Sequence, residues 1–343
     1  MPLLLDRRAV LNRLLAAAAA PAISNCRPTN EQINASLKRF EGMNIHGTGR
    51  HQINLPKGFS LGIEPVVELT YGLNSNFEVV EVTLMKEGVD LTEFKQRVQL
   101  RAVEIGKKTH DKLSVSMLIN DQWLSERARF LHAYDNSTLT NAFKSEVHVL
   151  VDDLHIRVSA ETHKPTDNHV EERLKRIALQ QLRKAPDAAT AGRGLCVGPL
   201  LVTAEQDQEI GTFHFKDPAY PDLLLEISVN AIANQDETLL QRWDSKQHLL
   251  KQIGGKDEIV RRGKRRIADM DGEELLTKGL EDDLGSLQFG VESVRRDGSF
   301  AKPILSVRLT TSLRDEKSSW STREAVPVWD AVVDSVRLRS GSV

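Results

Sequence analysis

The chain has 343 residues, of which 40% are hydrophobic and 27% are charged, a composition typical of a soluble globular protein with one large core or two medium ones. Lysine and arginine (46) nearly balance aspartate and glutamate (48), and the net charge of −2 does not imply whole-protein attraction to nucleic acid or anionic lipid. Only two cysteines are present, too few for a disulfide framework.

Residues 1–25 have the pattern of an export signal peptide. Arg7 and Arg8 precede an apolar, alanine-rich run that is too short to span a membrane, and small residues follow it. The arginine pair resembles a twin-arginine signal, and a general secretory signal is the alternative. Both alternatives predict a periplasmic protein. An amphipathic helix that stays attached to the chain is the remaining interpretation.

Processing of this segment has three alternatives. Cleavage after Ala22 or after Ser24 fits the small-residue rule, and Cys26 is a candidate for lipidation as the first residue of a lipoprotein. Without a lipid, Cys26 could pair with Cys196 in an oxidising periplasm. The simpler interpretation of Cys196 is a small buried residue at the start of a strand.

Predicted strands and helices succeed each other in the same way in both halves of the chain. Apolar residues every three or four positions predict helices over 29–40, 91–105, 170–183, 239–253 and 325–336. Alternating or β-rich runs predict strands over 50–55, 66–71, 77–84, 113–118, 127–134, 146–151, 155–160, 195–202, 209–215, 223–230, 287–294 and 304–311, with a strand pair or one bent strand over 258–270.

The connector after Pro186 divides these two series. It is rich in alanine and contains Gly192 and Gly194 before an apolar strand opens. We therefore predict an N-terminal α+β domain over 26–188 and a C-terminal α+β domain over 189–343, each a largely antiparallel sheet with helices packed on one face. A loop inside one domain is the alternative.

Ser60 lies in the one stretch that matches a catalytic motif. The sequence 58–62 reads G-x-S-x-G, which in α/β-hydrolases is a turn between a strand and a helix. Pro65 and the β-rich stretch behind it do not predict that helix. A turn between strands is the favoured interpretation, and an exported serine hydrolase is kept as an alternative function.

Two charged or ligating clusters receive non-catalytic interpretations. His148 and His155 are seven residues apart across a predicted turn, which favours surface histidines over a metal site, and no metal ligands or cofactor are predicted. The basic run 261–266 is flanked by acidic residues. It predicts a solvated strand face or a charged edge strand, with an acidic protein partner as the second interpretation.

Several stretches resemble a known family. They are Gly49-Arg50-His51-Gln52-Ile53-Asn54-Leu55-Pro56, Gly194-Leu195-Cys196-Val197-Gly198, Arg265-Arg266 with Gly272-Glu273-Glu274, and Val328-Trp329-Asp330 leading to Ser335-Val336-Arg337-Leu338-Arg339. In order and spacing they resemble the immunity proteins that neutralise type VI secretion lipase effectors, the Tli class. The resemblance spans most of residues 44–340. His46 and Thr48 stand where the family has a cysteine near the glycine-arginine pair.

The resemblance implies a periplasmic inhibitor without enzymatic activity. Its two domains would clamp a cognate lipase or phospholipase effector in a 1:1 complex and block substrate access. Because aromatic anchors dominate such interfaces, four aromatic residues that look exposed are candidate contacts: Tyr71, Trp123, Tyr220 and Trp320. Nucleic acid is not expected as a partner, and a membrane is expected only through a lipid on Cys26. A periplasmic ligand-binding protein is the other alternative.

Overall fold

The structure, a computed structural model, describes most of residues 42–343. Not described within that range are residues 63, 73–76, 165, 186, 233–234, 253–256, 280–284, 295–298 and 312–317, together with the side chains of 247–252. Before residue 42 it describes Thr29, Glu31, Asn34 and Lys38, of which the last three are helical, as the predicted helix over 29–40 requires. The predicted signal peptide 1–25 and Cys26 lie outside the described residues.

Between residues 42 and 343, the described chain contains four α-helices, a short 3-10 helix (Ala188–Thr190) and nineteen strands. The helices are α1 (Leu91–Lys107), α2 (Asn168–Gln180), α3 (Leu239–Gln252) and α4 (Thr322–Ser335). The first nine strands are β1 (Met43–Gly49), β2 (His51–Pro56), β3 (Ser60–Leu61), β4 (Val66–Tyr71), β5 (Glu78–Lys86), β6 (Leu118–Ser125), β7 (Ala128–Tyr134), β8 (Phe143–Val151) and β9 (Leu154–Thr162). The others are β10 (Leu182–Lys184), β11 (Leu195–Val197), β12 (Leu200–Val202), β13 (Gln208–Asp217), β14 (Tyr220–Asn230), β15 (Asp257–Lys264), β16 (Gly272–Gly279), β17 (Leu287–Ser293), β18 (Ile304–Thr311) and β19 (Arg337–Leu338).

These strands pair into two sheets, and the pairings are antiparallel. The large sheet runs β15-β16-β17-β18-β14-β13-β4-β5-β9-β8-β7-β6, with β3 also against β13. The small sheet runs β10-β12-β11-β1-β2-β19. From the β4–β13 pair outward, the first half runs β4-β5-β9-β8-β7-β6 and the second half runs β13-β14-β18-β17-β16-β15 in the same order. In each half one helix follows the second of these strands along the chain (α1 after β5, α3 after β14), and another follows the last (α2 after β9, α4 after β18). The predicted α+β class, with two similar, largely antiparallel halves, is confirmed.

The two halves exchange their last strands. β10 closes the first half but pairs with β12 of the second, and β19 closes the second half but pairs with β2 of the first. In the large sheet, β4 pairs directly with β13. Both sheets therefore contain strands from both sides of residue 188. The division into domains at that residue stays a prediction.

The main core lies between the two sheets and continues through both halves. α2 and α4 contribute to it, burying Leu174 and Ile177 from α2 and Trp329 from α4. α1 packs on the opposite face of the large sheet, where Phe94 meets Leu150. β7 and β8 are buried along almost their entire length, because one face of each strand packs against the core and the other packs against α1.

Local capping fixes where the long helices begin. Asp90 accepts a hydrogen bond from the Glu93 amide (2.8 Å) at the start of α1. Ser321 and Glu324 form a reciprocal capping box at the start of α4. Within the described residues, no helix is both long and apolar enough to cross a bilayer.

Two predicted strands are wrong in their bounds. The predicted strand 113–118 is an exposed turn, and the strand β6 begins only at Leu118. The predicted strand 195–202 is a hairpin, since Gly198 adopts φ +58° and reverses the chain between β11 and β12. Apolar composition alone did not reveal either turn.

Two further strands were missed because glycine suggested a break. β1 runs through Gly47, where a side chain would place its Cβ only 2.6 Å from the Cβ of Cys196. Glycine is therefore required at this position by close packing, not by a turn. Cys196, the second residue of β11, is fully buried, as predicted. β16 was also missed, because it opens on Gly272 and two glutamates.

Candidate protein-binding surface

The outward face of the large sheet is open at its centre. α1 packs over β6, β7 and β8, and α3 packs over β16. Between them, the outward side chains of β4, β5, β13 and β14 alternate with core residues, and many are half-buried or exposed. We call this surface the central face, and its members are Val66, Glu68, Val79, Glu81, Ile210, Thr212, His214, Leu224, Glu226 and Ser228.

Charged pairs organise one row of the central face. One carboxylate oxygen of Glu226 lies 3.2 Å from His214 Nε2. The other carboxylate oxygen of Glu226 lies 3.5 Å from Arg308 Nη1. The three residues stand opposite one another on neighbouring strands. Because all three are at least partly in solvent, the pairs orient the side chains more than they stabilise the fold.

Carboxylates dominate the other end of the central face. Glu68 and Glu81 are direct cross-strand neighbours. Burial, and then the charge of Glu81, raise the pKa of Glu68 above its usual value. Ser159 donates a hydrogen bond to Glu81 (3.2 Å), and Lys144 Nζ lies 3.6 Å from it. An open cleft of about 600 Å³ begins here and extends past the exposed ring of Phe77.

The four predicted aromatic anchors do not form one surface. Trp123 is 41% exposed on the edge strand β6, where the Arg129 guanidinium covers its ring at 4.8 Å. Tyr71 is half-buried at the end of β4, beneath Arg173 at 4.0 Å. Burial raises the pKa of Tyr71 to about 12.

The predicted exposure of Trp320 is wrong. Its side chain is 1% exposed and lies against Phe59 and against Tyr220, which is itself half-buried. Trp320 directly precedes the cap Ser321, where an apolar residue commonly folds back onto its helix. That capping box was visible in the sequence and would have predicted the burial. A partner-binding role for the four aromatic residues stays a prediction.

The G-x-S-x-G stretch forms strand and turn. Ser60 lies in β3, which pairs with the end of β13. The Gly62 amide then donates to the His214 carbonyl at 2.6 Å, and the chain passes through Pro65 into β4. A nucleophile elbow needs a helix directly after the serine. The chain has a strand there instead.

Comparison with known proteins assigns the second half of the chain. Residues 188–341 match the family model described as the Tle cognate immunity protein 4 C-terminal domain. This part of the chain is similar to the C-terminal domain of Tle cognate immunity proteins. The predicted resemblance is confirmed.

Solved structures extend the likeness to both halves of the chain. The crystal structure of a Tle4–Tli4 complex contains a chain that matches with a TM-score of 0.68 and 20% identity, covering 88% of this chain and 99% of that one. The apo immunity protein TplEi of the type VI secretion system from Pseudomonas aeruginosa matches with a TM-score of 0.66 and 20% identity, covering 88% and 98%. TplEi complexed with an "L" peptide matches with a TM-score of 0.60 and 22% identity, covering 87% and 98%. No curated protein sequence gives a significant match. At these identities the likeness establishes a shared fold.

Within residues 188–341, the basic run 261–266 is only partly a solvated face. Arg261 and Arg265 are buried, and both bind Asp330 of α4, at 2.5 and 2.7 Å. Glu274 also accepts from Arg261 (2.6 Å) and from the Trp329 indole (2.8 Å). The prediction of a solvated face is therefore wrong for these two arginines. The sequence could not show that α4, more than sixty residues away, covers the strand.

Asp330→Ala is expected to destabilise the protein by about 3–5 kcal/mol, because it leaves two buried guanidinium groups without their shared carboxylate. The matched control is Asp334→Ala. Asp334 also binds Arg265 (2.7 Å), but its side chain is 53% exposed, so its loss should cost about 1 kcal/mol or less. Urea unfolding measures both. Equal losses for the two variants would contradict the burial argument.

The predicted surface position of His148 and His155 is also wrong. Both are buried under α1, because a tight turn at Asp152 (φ 53°) brings β8 and β9 together in register. Arg97 Nε donates to His155 Nδ1 (3.3 Å), so the His155 proton lies on Nε2. His155 Nε2 therefore donates a hydrogen bond to His148 Nδ1 (3.0 Å). His148 Nε2 in turn donates a hydrogen bond to the Glu146 carboxylate (3.0 Å). The chain of donors fixes both tautomers.

This buried chain predicts acid sensitivity. Burial, then the neighbouring His148, lower the pKa of His155 to about 3, whereas an unfolded chain binds the proton near pH 6.5. The unfolded state therefore takes up more protons below pH 6.5, and the stability contributed by neutral His155 is lost as the pH falls from 6.5 towards 3. Between pH 7 and pH 5 the loss is on the order of 2 kcal/mol. His155→Gln should reduce the pH dependence of urea unfolding by this amount.

The matched control is His163→Gln, which removes an exposed histidine and should leave the pH dependence unchanged. An unaltered pH dependence in His155→Gln would contradict the prediction.

The described residues contain no group of three or more histidine, cysteine, aspartate or glutamate side chains arranged to hold a metal ion.

Proposed function

We propose that this protein is an immunity protein that binds and inhibits a lipase effector of the Tle class in a 1:1 complex. The observation that carries the proposal is the family match over residues 188–341, joined to a fold shared over 88% of the chain with a protein of a Tle4–Tli4 complex. The family match covers the second half only. The shared fold covers both halves, so both halves of the large sheet are available to hold the effector.

The central face is the surface on which the effector binds in this proposal. Half-buried apolar side chains such as Val66, Ile210 and Leu224 stand beside charged ones there, the mixture found in non-obligate protein interfaces. α1 and α3 rise over the two ends of the same sheet face. The effector would lie between them, clamped across the β4–β13 junction, with access of lipid to its active site blocked.

Inhibition in this proposal is by binding, without catalysis by the immunity protein. Ser60 is exposed on a two-residue strand that continues into another strand. Nothing in that arrangement positions it as an activated nucleophile. Export to the periplasm, through residues 1–25, is part of the proposal because the sequence carries a signal pattern there.

Co-purification with the cognate effector tests the proposal. The tagged chain should retain the effector in a 1:1 complex, and the lipase activity of the complex should be suppressed relative to the free effector. Ser60→Ala should bind and inhibit as the wild type does. If the chain leaves lipase activity unchanged, or if it hydrolyses esters in a Ser60-dependent way, the proposal is wrong and the hydrolase alternative is favoured.

A further inference from the structure

Two neighbouring loops at one end of the first half expose large apolar side chains. Leu113 and Val115 lie in the turn between α1 and β6, and Leu139 lies between β7 and β8. Each side chain is between 41% and 47% exposed. Single exposed apolar residues are ordinary, but three on adjoining loops form a patch that indicates a binding surface.

A buried histidine holds the two loops together. His110 Nδ1 accepts from the Lys112 and Leu113 amides (3.3 Å each), so its proton is on Nε2, which donates to the Leu139 carbonyl (3.2 Å). The Asp111 amide donates to the Ser137 carbonyl (2.8 Å) across the same junction. The apolar side chains are therefore presented on cross-linked loops, preorganised for a partner.

Two further exposed apolar side chains lie on the outer side of α1, the helix that leads into the first of these loops. Leu100 is 61% exposed and Val103 is 38% exposed, one turn apart on the side away from the buried face of the helix. Val103 also lies one turn before Lys107, which leads into the Leu113 turn. We call the five apolar residues, together with the exposed lysines among them, the loop surface; the lysines are Lys107, Lys108 and Lys112.

The charge of this region is opposite to that of the entire chain. Residues 91–116 contain six basic and three acidic side chains, a local charge of +3 in a protein of net charge −2. Of the acidic groups, Glu104 is paired with Lys108 (2.8 Å), and Asp111 accepts from Ser137 (2.6 Å). Whole-protein charge does not attract this molecule to anionic surfaces, but the loop surface does so locally.

We propose that the loop surface binds an anionic phospholipid bilayer. Apolar loop tips with lysines beside them fit the headgroup boundary, where the aliphatic side chains enter the acyl region and the ammonium groups meet phosphate. Protein interfaces are depleted in lysine, so a lysine-rich apolar patch favours lipid over a protein partner. The proposal goes beyond inhibition and does not depend on the effector-binding role, because vesicle binding is measured without the effector.

Vesicle co-sedimentation of the full chain tests this. Binding is measured on phosphatidylcholine vesicles and on vesicles with about 25% phosphatidylglycerol. The triple variant Lys107→Gln/Lys108→Gln/Lys112→Gln should lose roughly 25-fold in affinity for the anionic vesicles, since Lys107 and Lys112 each contribute about fivefold and the charge of Lys108 is offset by Glu104. Leu113→Ser/Val115→Ser/Leu139→Ser should lose at least about tenfold on the same vesicles.

Matched controls remove the same groups elsewhere. Lys216→Gln/Lys246→Gln/Lys302→Gln and Leu179→Ser change exposed residues away from the loop surface, and both should bind within about twofold of the wild type. The N-terminal apolar segment is present in all variants, so any vesicle binding that it contributes is the same in each of them. Equal vesicle binding by all variants overturns the proposal. So does loss of effector binding, without loss of vesicle binding, in the loop-surface variants, because the surface is then a protein interface.

Discussion

Thr212→Arg is expected to weaken binding of the effector by about 100-fold. Thr212 lies at the middle of the central face, directly opposite Val66 on β4 and Ser228 on β14. An arginine there would put a bulky, charged side chain where the effector packs and would hold the two surfaces apart. A clash of this kind built into an interface costs roughly 3 kcal/mol, which is about a factor of 100 in affinity.

The substitution should leave the fold intact. The Thr212 side chain points away from the core and is half-buried, whereas its neighbours Gly211 and Phe213 face inward and are buried. A threonine-to-arginine change on an outward strand position costs about 1 kcal/mol or less. Thermal unfolding should therefore show a shift of a few degrees at most.

Thr92→Arg is the matched control. It makes the same chemical change at an exposed position on the first turn of α1, outside the central face. Titration calorimetry with the effector should give unchanged affinity for this variant, together with unchanged suppression of lipase activity. If the Thr212→Arg variant is folded and its affinity for the effector is within about twofold of the wild-type affinity, the central face is not the interface. In that event, the aromatic edge at Trp123 becomes the next surface to substitute.

Much of the strand and helix pattern was predictable from periodicity. The helix predicted over 91–105 is α1, Leu91–Lys107, and the strand predicted over 223–230 lies within β14, Tyr220–Asn230. In both segments a single buried stripe at a fixed spacing determines the structure, so local information is sufficient. The prediction was wrong where a turn or a close approach interrupts a run, as at Gly198 and Gly47.

The surroundings of charged residues were not predictable in the same way. Arg261 and Arg265 look like a solvated charge run until Asp330 of α4 is placed over them. His148 and His155 look exposed until α1 covers their hairpin. In each case the partner is distant in sequence and its approach is set by how sheets and helices stack. A composition rule for buried charge cannot supply that information.

The central face was half visible in the sequence. Outward polar residues alternate with apolar ones along β4, β13 and β14, and this signal marks a sheet with one open face. What the sequence could not reveal is that β4 and β13 are neighbours. Their pairing joins two similar halves into one sheet, and only then do Val66, Thr212 and Ser228 form a continuous surface.

Expression of residues 189–343 alone is expected to yield a protein without a cooperative unfolding transition. Removal of the first half takes β4 from the edge of β13 and β2 from β19. It also removes Gly49, whose carbonyl accepts from the buried Arg339 (3.3 Å). Arg339 is 1% exposed and binds the Gly192 and Gly194 carbonyls as well, so it joins the C-terminal segment to both halves.

Co-expression of residues 1–188 with residues 189–343 is the decisive counterpart. The exchange of β10 and β19 between the halves should let the two fragments associate into a complex with native-like unfolding, even though neither is folded alone. Circular dichroism and urea unfolding of each fragment and of the mixture measure this. If residues 189–343 unfold cooperatively by themselves, the predicted boundary at 188 separates two independent domains, and the exchanged strands are dispensable. If only the mixture unfolds cooperatively, the two halves are one folding unit. An effector bound to the central face then meets a single sheet whose halves stay paired at the β4–β13 junction.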